Sequence, residues 1–186
     1  MAIALIIIAV VVVVLLVVYA VSVRNGLIRR RNQIENAWSQ IDVQLKRRID
    51  LIPNLVETVK GYASHERETL DSVTKARAAA ESASGPADQA AKENVLTQSL
   101  RSLIAVSEAY PDLKANQNFL SLQEELSATE GRIAYARQYY NDTVQRYNTK
   151  IQSFPAVLLA GALRFQPREY FEADDTSRGP VNVSFS

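Results

Sequence analysis

The sequence predicts an all-α protein: an N-terminal transmembrane helix followed by an elongated antiparallel four-helix bundle. Three observations predict it. Residues 2–23 form an apolar run without a charged side chain. After Val23 the apolar residues adopt helical spacing and keep it through four successive segments. The breaks between segments are short, two of them carry Pro, and strand-like alternation is nearly absent.

The run "AIALIIIAVVVVVLLVVYAVSV" would be about 33 Å long as a helix, against a hydrocarbon core of about 30 Å. A cleavable signal peptide is the competing interpretation. It has an apolar region of about 7–15 residues, bases before it and a small-residue cleavage site after it. Here no base precedes the run, Arg24 follows it, and "YAVS" is a poor cleavage site. Residues 1–23 are therefore expected to be a retained anchor. With no cysteine in the chain there is no thiol to acylate, so a lipoprotein is not expected.

Basic residues set the expected orientation. Arg24, Arg29, Arg30, Arg31, Lys46, Arg47 and Arg48 all follow the run, and bases stay on the cytoplasmic side. A single pass through the cell (inner) membrane is expected, with a short outer N-terminus and a cytoplasmic bulk. The alternative is that these bases serve only a helix surface. Arg24, Arg29, Arg30 and Arg31 are candidate contacts for anionic lipid headgroups, each contributing about 1 kcal/mol near the surface.

The bundle, expected over 24–154, starts with a helix over about 24–49, where Ile34, Trp38, Ile41 and Leu45 recur at spacings of four, three and four. A second helix is expected over 53–83, with a stripe Leu55, Val59, Tyr62, Leu70 and Val73 interrupted by Glu66. Gly85 and Pro86 separate it from a third, 86–109, whose face holds Leu96, Leu100, Leu103 and Val106. The fourth, 113–154, carries a near-heptad, coiled-coil-like series: Phe119, Leu122, Leu126, Thr129, Ile133, Ala136, Tyr140, Val144, Tyr147, Ile151 and Phe154. Such a helix needs partners to cover its stripe. Residues 155–172 are expected to be a short apolar helix or cap. Residues 173–186, including "VNVSFS", are expected to be a flexible tail.

Pro53 divides "KRRIDLIPNLVETVKGY". Proline costs about 3 kcal/mol or more inside a helix and little in its first turn. The stripe that ends near Ile49 and the one that begins at Leu55 make 50–52 the expected corner and Pro53 the start of the second helix. A kinked continuous helix is the alternative. At such a corner Lys46, Arg47 and Arg48 would favour the dipole of the first helix's C-terminus.

"FPAVLLAGALRF", Phe154 to Phe165, is apolar but too short to cross a membrane. In an up-and-down bundle the fourth helix ends at the level where the first begins. Val157 to Phe165 is expected either to dock at the membrane interface or to cap the bundle's end.

Most chemistry is excluded by composition. With 21 Lys and Arg against 20 Asp and Glu, the chain lacks the basic excess of a nucleic-acid binder. Without cysteine there is no disulfide, thiolate catalysis or Cys-ligated metal. One histidine, His65, cannot complete the two Glu-x-x-His motifs of a di-iron bundle. No Gly-x-Ser-x-Gly turn or phosphate-cradling Gly loop is present. Glu124, Glu125 and Glu130 fit a solvated helix face. Tyr135, Tyr139, Tyr140 and Tyr147 could form a stacking surface, but Tyr140 and Tyr147 lie on the core stripe, where a ring is buried and its hydroxyl kept wet. No enzyme activity, cofactor or metal is expected.

Three blocks carry a resemblance: "AWSQIDVQLKRRIDLIPNLVETVKGYASHE" (37–66), "AYPDLKANQNFLSLQEELSATEGRIAYAR" (109–137) and "YYNDTVQRYNTKIQSFP" (139–155), followed by "YFE" (170–172). Together they resemble the LemA family of bacterial membrane proteins across nearly the whole chain. The signature positions are Trp38, Asp42, Leu45, Arg47, Arg48, Pro53, Asn54, Leu55, Tyr110, Pro111, Phe119, Leu122, Tyr140, Asn141, Tyr147, Asn148 and Pro155. The resemblance implies a single N-terminal transmembrane helix, an external N-terminus and a helical-bundle body, with no established enzymatic activity and no catalytic residues to carry over. One relative in the family is associated with magnetosome membranes. Residues 82–98 match no characteristic block.

The expected role is a membrane-anchored scaffold or interaction protein, touching lipid through its anchor and an unidentified protein partner or a second copy through its body. The alternative is a regulatory or accessory subunit of a membrane protease, transporter or signalling complex. The anchor has no small-xxx-small glycine motif, so a tight helix-pair dimer within the membrane is not expected.

Overall fold

A computed structural model describes residues 1–172; the expected tail, 173–186, lies outside the described residues. Every regular element among the described residues is helical. We number the α-helices α1 (Ala2–Tyr62), α2 (Arg67–Glu81), α3 (Pro86–Val106), α4 (Pro111–Lys114), α5 (Gln117–Gln152) and α6 (Ala156–Ala162), with a 3-10 turn at Ser107–Ala109. The chain divides into two compact units. Among the described residues one is Met1–Ser39 with Gln138–Glu169, and the other is Gln40–Arg137 with residues 170–172.

In the first unit α1 begins with the apolar run, long and apolar enough to cross a membrane. Its large side chains from Ile3 to Val18 are exposed. Burial starts where the charges start: Val23 and Leu27 are covered, and Ile34 and Ala37 continue that face. The C-terminal part of α5 supplies Tyr140, Val144, Tyr147 and Ile151, all buried. The two stretches run antiparallel. The rings of Trp38 and Tyr140 pack with centroids 5.5 Å apart, tilted by 60°, and Arg31 lies within electrostatic range of Tyr147. Seven residues back along α1 therefore match seven residues forward along α5.

After α5 the chain turns through Ser153 and Phe154 into α6, then reverses. The N–H of Phe165 bonds the carbonyl of Ala160 (3.0 Å) and the N–H of Arg164 that of Gly161 (3.1 Å). This paired closure places its extra residue, Arg164, in the left-handed region at φ 57°. The returning segment is held against α5 by side chains. Tyr147 Oη donates to the Gln166 carbonyl (3.1 Å) and Tyr140 Oη to that of Glu169 (2.9 Å). Asn148 Nδ2 donates to the Arg168 carbonyl (2.9 Å), and Asn148 Oδ1 accepts the Arg168 N–H (2.8 Å). Arg168 also pairs with Glu35 of α1 at 3.5 Å.

In the second unit one core joins four helical stretches. Ile49, Ile52, Leu55 and Val59 come from α1, Leu70, Val73 and Ala76 from α2, Leu96, Leu100 and Leu103 from α3, and Phe119 and Leu126 from α5. The predicted stripes of the third and fourth helices are the buried faces of α3 and α5. Val106 and Leu122 are half-buried, and Phe154 alone on the long stripe is fully exposed.

The corner expected at 50–52 does not exist. α1 runs through Pro53 to Tyr62, and the turn falls at 63–66. Ile49 and Ile52 are buried in phase with Leu55 and Val59, so the two stripes are one face of one helix. Proline cannot donate to the carbonyl four residues earlier. That carbonyl, Ile49 O, instead accepts Arg77 Nε of α2 at 3.1 Å. The ring itself points outward and is exposed. Glu66, an interruption on the predicted stripe, belongs to the turn before α2, where its carboxylate accepts Tyr110 Oη (3.1 Å). Tyr62 is exposed rather than core, with its hydroxyl taken by Asn116 Nδ2 (2.9 Å).

Arg77→Met should lower stability by about 1–3 kcal/mol, because a part-buried carbonyl loses its donor. In a Pro53→Ala background the backbone gains an N–H at that position, which can satisfy Ile49 O. The Arg77→Met substitution should then cost about 1 kcal/mol less, the net worth of one such hydrogen bond. Denaturant titrations of the four detergent-solubilised proteins measure this coupling. Additive effects would show that the Arg77 contact does not compensate for the proline.

Candidate functional site

The second unit holds a buried charge. Arg48 is 2 % exposed, although at the predicted corner it would have served a helix end. Because α1 continues, Arg48 instead points between helices. Its Nη1 donates to Glu93 Oε2 (2.9 Å) and its Nη2 to Thr97 Oγ1, both on α3. Its Nε lies 2.9 Å from Glu130 Oε1 of α5, an ion pair not aligned as a hydrogen bond. Glu93 is itself buried and also accepts Gln89 Nε2 (2.8 Å). Thr97 Oγ1 in turn donates a hydrogen bond to the Glu93 carbonyl (2.9 Å). Neighbouring Arg47 stays at the surface and pairs with Glu125 at 2.6 Å.

Burial raises the pKa of the Glu93 carboxyl above its ordinary value. Arg48 and the Gln89 hydrogen bond pull against that shift, and the charge of Glu130 adds to it. The arrangement is a charge-paired centre rather than a nucleophile with a base. Arg48 Nη1 and Nη2 are hydrogen-bonded within the cluster, and its Nε is held only by the charge of Glu130.

The other signature residues divide by burial. Leu45, Leu55, Phe119, Tyr140, Tyr147 and Asn148 are buried. Trp38, Tyr110, Leu122, Asn141 and Pro155 are half-buried. Asp42, Arg47, Pro53, Asn54 and Pro111 are exposed. Asn54 contributes its carbonyl to Thr58 (2.7 Å), and Pro111 opens α4. Arg24, Arg29 and Arg31 are exposed and Arg30 half-buried, all on α1 directly after the apolar run. Tyr135 and Tyr139 are exposed while Tyr140 and Tyr147 are buried, so the four form no continuous stacking surface.

Sequence reasoning missed Glu93. It lies in the stretch that matched no characteristic block, but its phase was informative. Glu93 precedes Leu96, Leu100 and Leu103 by three, seven and ten residues, on their face of α3. A carboxylate in phase with a buried stripe calls for a cation, and Arg48 supplies it. Glu130, expected to be solvated, lies at the edge of that centre, with 38 % of its side chain exposed. The roles of Gln166, Arg168 and Glu169 had no sequence signal, because their backbone atoms make most of the contacts.

Open grooves flank α2, one lined by Glu68, Asp71, Ser72, Lys75 and Ser99, the other by Lys60, Arg67 and Thr74 among others. Among the described residues no group of three or more His, Asp or Glu side chains is placed to hold a metal.

The family model of the LemA family matches residues 37–185. The chain belongs to the LemA family. It is 29% identical to Protein LemA of Metamycoplasma hominis, over 87% of this chain and 74% of that protein. Magnetosome protein MamQ 2 of Paramagnetospirillum magneticum is 25% identical, and Magnetosome protein MamQ of Magnetospirillum gryphiswaldense is 24% identical. Each of these two matches covers 77% of this chain but only 62% of the relative. All three predicted blocks fall in the family region, and so do Arg48, Glu93 and Glu130.

Arg48→Met strands a buried carboxylate and should cost about 3–5 kcal/mol; adding Glu93→Leu should restore most of it. Thermal unfolding in detergent checks both, and no recovery in the double variant would show that packing rather than charge pairing dominates. For pH the sign follows from the raised Glu93 pKa. The folded state binds this proton more tightly than the unfolded chain. The resulting stability is full below the unfolded carboxyl's range and lost as pH rises through the folded value. Glu93→Gln should flatten that decline, measured by unfolding at stepped pH from about 4 upward.

Proposed function

We propose that this LemA-family chain is a membrane-anchored, non-catalytic scaffold that presents an antiparallel four-helix bundle to a protein partner or a second copy of itself. The observation that carries this reading is helix α1. One continuous helix contains the run long and apolar enough to cross a membrane and also contributes a wall of the second unit's core. The pairing of Arg48 with Glu93, Thr97 and Glu130 supports a structural role for its conspicuous charges.

In this reading the bulk faces the cytoplasm, supported by Arg24, Arg29, Arg30 and Arg31 directly after the run. These arginines lie where headgroup phosphates would meet them.

Two measurements test the proposal. The chain contains no cysteine, so Ser127→Cys, on an exposed position of α5, is a unique label site. An impermeant maleimide should modify it only after cells are opened; labelling of intact cells would place the bulk outside. Crosslinking in intact membranes with mass spectrometry should return the same partner or self-contacts repeatedly. Recovery of only abundant bystanders would count against a scaffold. A single protease or transporter dominating the crosslinks would favour an accessory subunit.

A further inference from the structure

The apolar tip that follows α5 has no cover in the first unit. Phe154 is 80 % exposed and Leu158 68 %, and Val157 and Leu163 are also open. These are large apolar side chains on a short segment whose small residues, Ala156 and Ala160, are the ones buried. The usual burial order is reversed: the segment turns its alanines inward and its Phe and Leu outward. Such a contiguous patch marks an interaction surface.

Its level along α1 follows from the antiparallel register. Trp38 faces Tyr140, and seven residues further each way Arg31 approaches Tyr147. Four residues further each way, still within both helices, the same register pairs buried Leu27 with buried Ile151, and Phe154 follows just beyond the end of α5. Arg24 is the first charge after the apolar run, which begins to be covered at Val23. Leu27 lies three residues, about one turn or 5 Å, from Arg24, so α5 ends and the tip begins near the place where the apolar run meets its first base.

We propose that the outward face of Phe154, Val157, Leu158 and Leu163 docks into the interfacial layer of the same lipid leaflet that α1 enters, as a second, non-spanning membrane contact. The occupant is lipid because the face is continuous in level with the spanning run. The chemistry fits an interfacial segment: apolar side chains on one side, with the exposed bases Lys150 and Arg164 flanking them and Arg24 at the same level. The reversal at Arg164 and the clasp of Tyr147 and Asn148 on the returning strand hold the tip in place. Two contacts on one face would restrain the tilt and rotation of α1, which a single span leaves free.

The inference rests on α1 being inserted, so the test reads both features in the full chain. Leu158→Cys, Leu16→Cys and Ser127→Cys are each spin-labelled and reconstituted in phosphatidylcholine–phosphatidylglycerol vesicles. Collisions with oxygen report lipid, and collisions with a water-soluble nickel chelate report solvent. The label at 158 should favour oxygen, as at 16 but at shallower depth, with nickel collisions several-fold below those at 127. An aqueous label at 158 with a lipid-exposed label at 16 overturns tip docking and leaves the anchor intact. An aqueous label at 16 overturns the anchor and the tip together. Shielding of 158 from both agents assigns the face to protein and also overturns lipid docking. Label–label broadening that disappears on dilution with unlabelled chain would identify that protein as a second copy.

Discussion

The constraint on which the rest of the structure depends is the continuity of α1 through Pro53. A proline in a helix interior leaves one carbonyl without its donor and crowds the preceding turn. Here the loss is compensated from outside the helix, by Arg77 Nε on Ile49 O. The contact ties α2 to α1 at the weak point, so the defect becomes a specific point of attachment. Once α1 passes Pro53, the reversal must occur at 63–66. Ile49, Ile52, Leu55 and Val59 then become one buried face, and Arg48 is carried inward rather than left at a helix end.

That inward placement explains the charge cluster of the second unit. An unpaired guanidinium cannot be buried without a large penalty. Arg48 is matched by Glu93 and Thr97 of α3 and by Glu130 of α5. Three helices must be in the correct register for this set to form, whereas an apolar core of Leu, Val and Ala tolerates slippage. The pairing need not add much stability over a hydrophobic substitute. Its contacts are directional and are made only when α1, α3 and α5 meet in this register.

The first unit solves a different problem, the join between the apolar run and the amphipathic chain that follows it. Its α1 stretch changes from exposed apolar to half-covered amphipathic at Val23 and Arg24. The antiparallel stretch of α5 covers that amphipathic part through Tyr140, Val144, Tyr147 and Ile151. Tyrosine suits the position because the ring is buried while the hydroxyl reaches a backbone carbonyl of the returning segment. Burial raises the pKa of both phenols further above their ordinary value.

The sequence by itself determined the helical class, the apolar run and its end at Arg24, and the buried faces of α3 and α5. These are local properties: hydrophobic period, run length and Gly–Pro punctuation act within a few turns of chain. It also carried the family blocks, whose order survives without knowledge of the fold. Only the tertiary structure decided the fate of Pro53, because the orphaned carbonyl of Ile49 is satisfied by Arg77, 28 residues further along the chain. Likewise Glu93 carried a phase signal but no identified partner, and Arg48 was legible as basic but not as buried. Phe154 continued a core stripe in sequence yet lies in the open. The helix had ended at Gln152, and periodicity has no meaning beyond the last turn. Long-range pairing and chain reversal depend on which helices meet, and that information is distributed over the whole molecule.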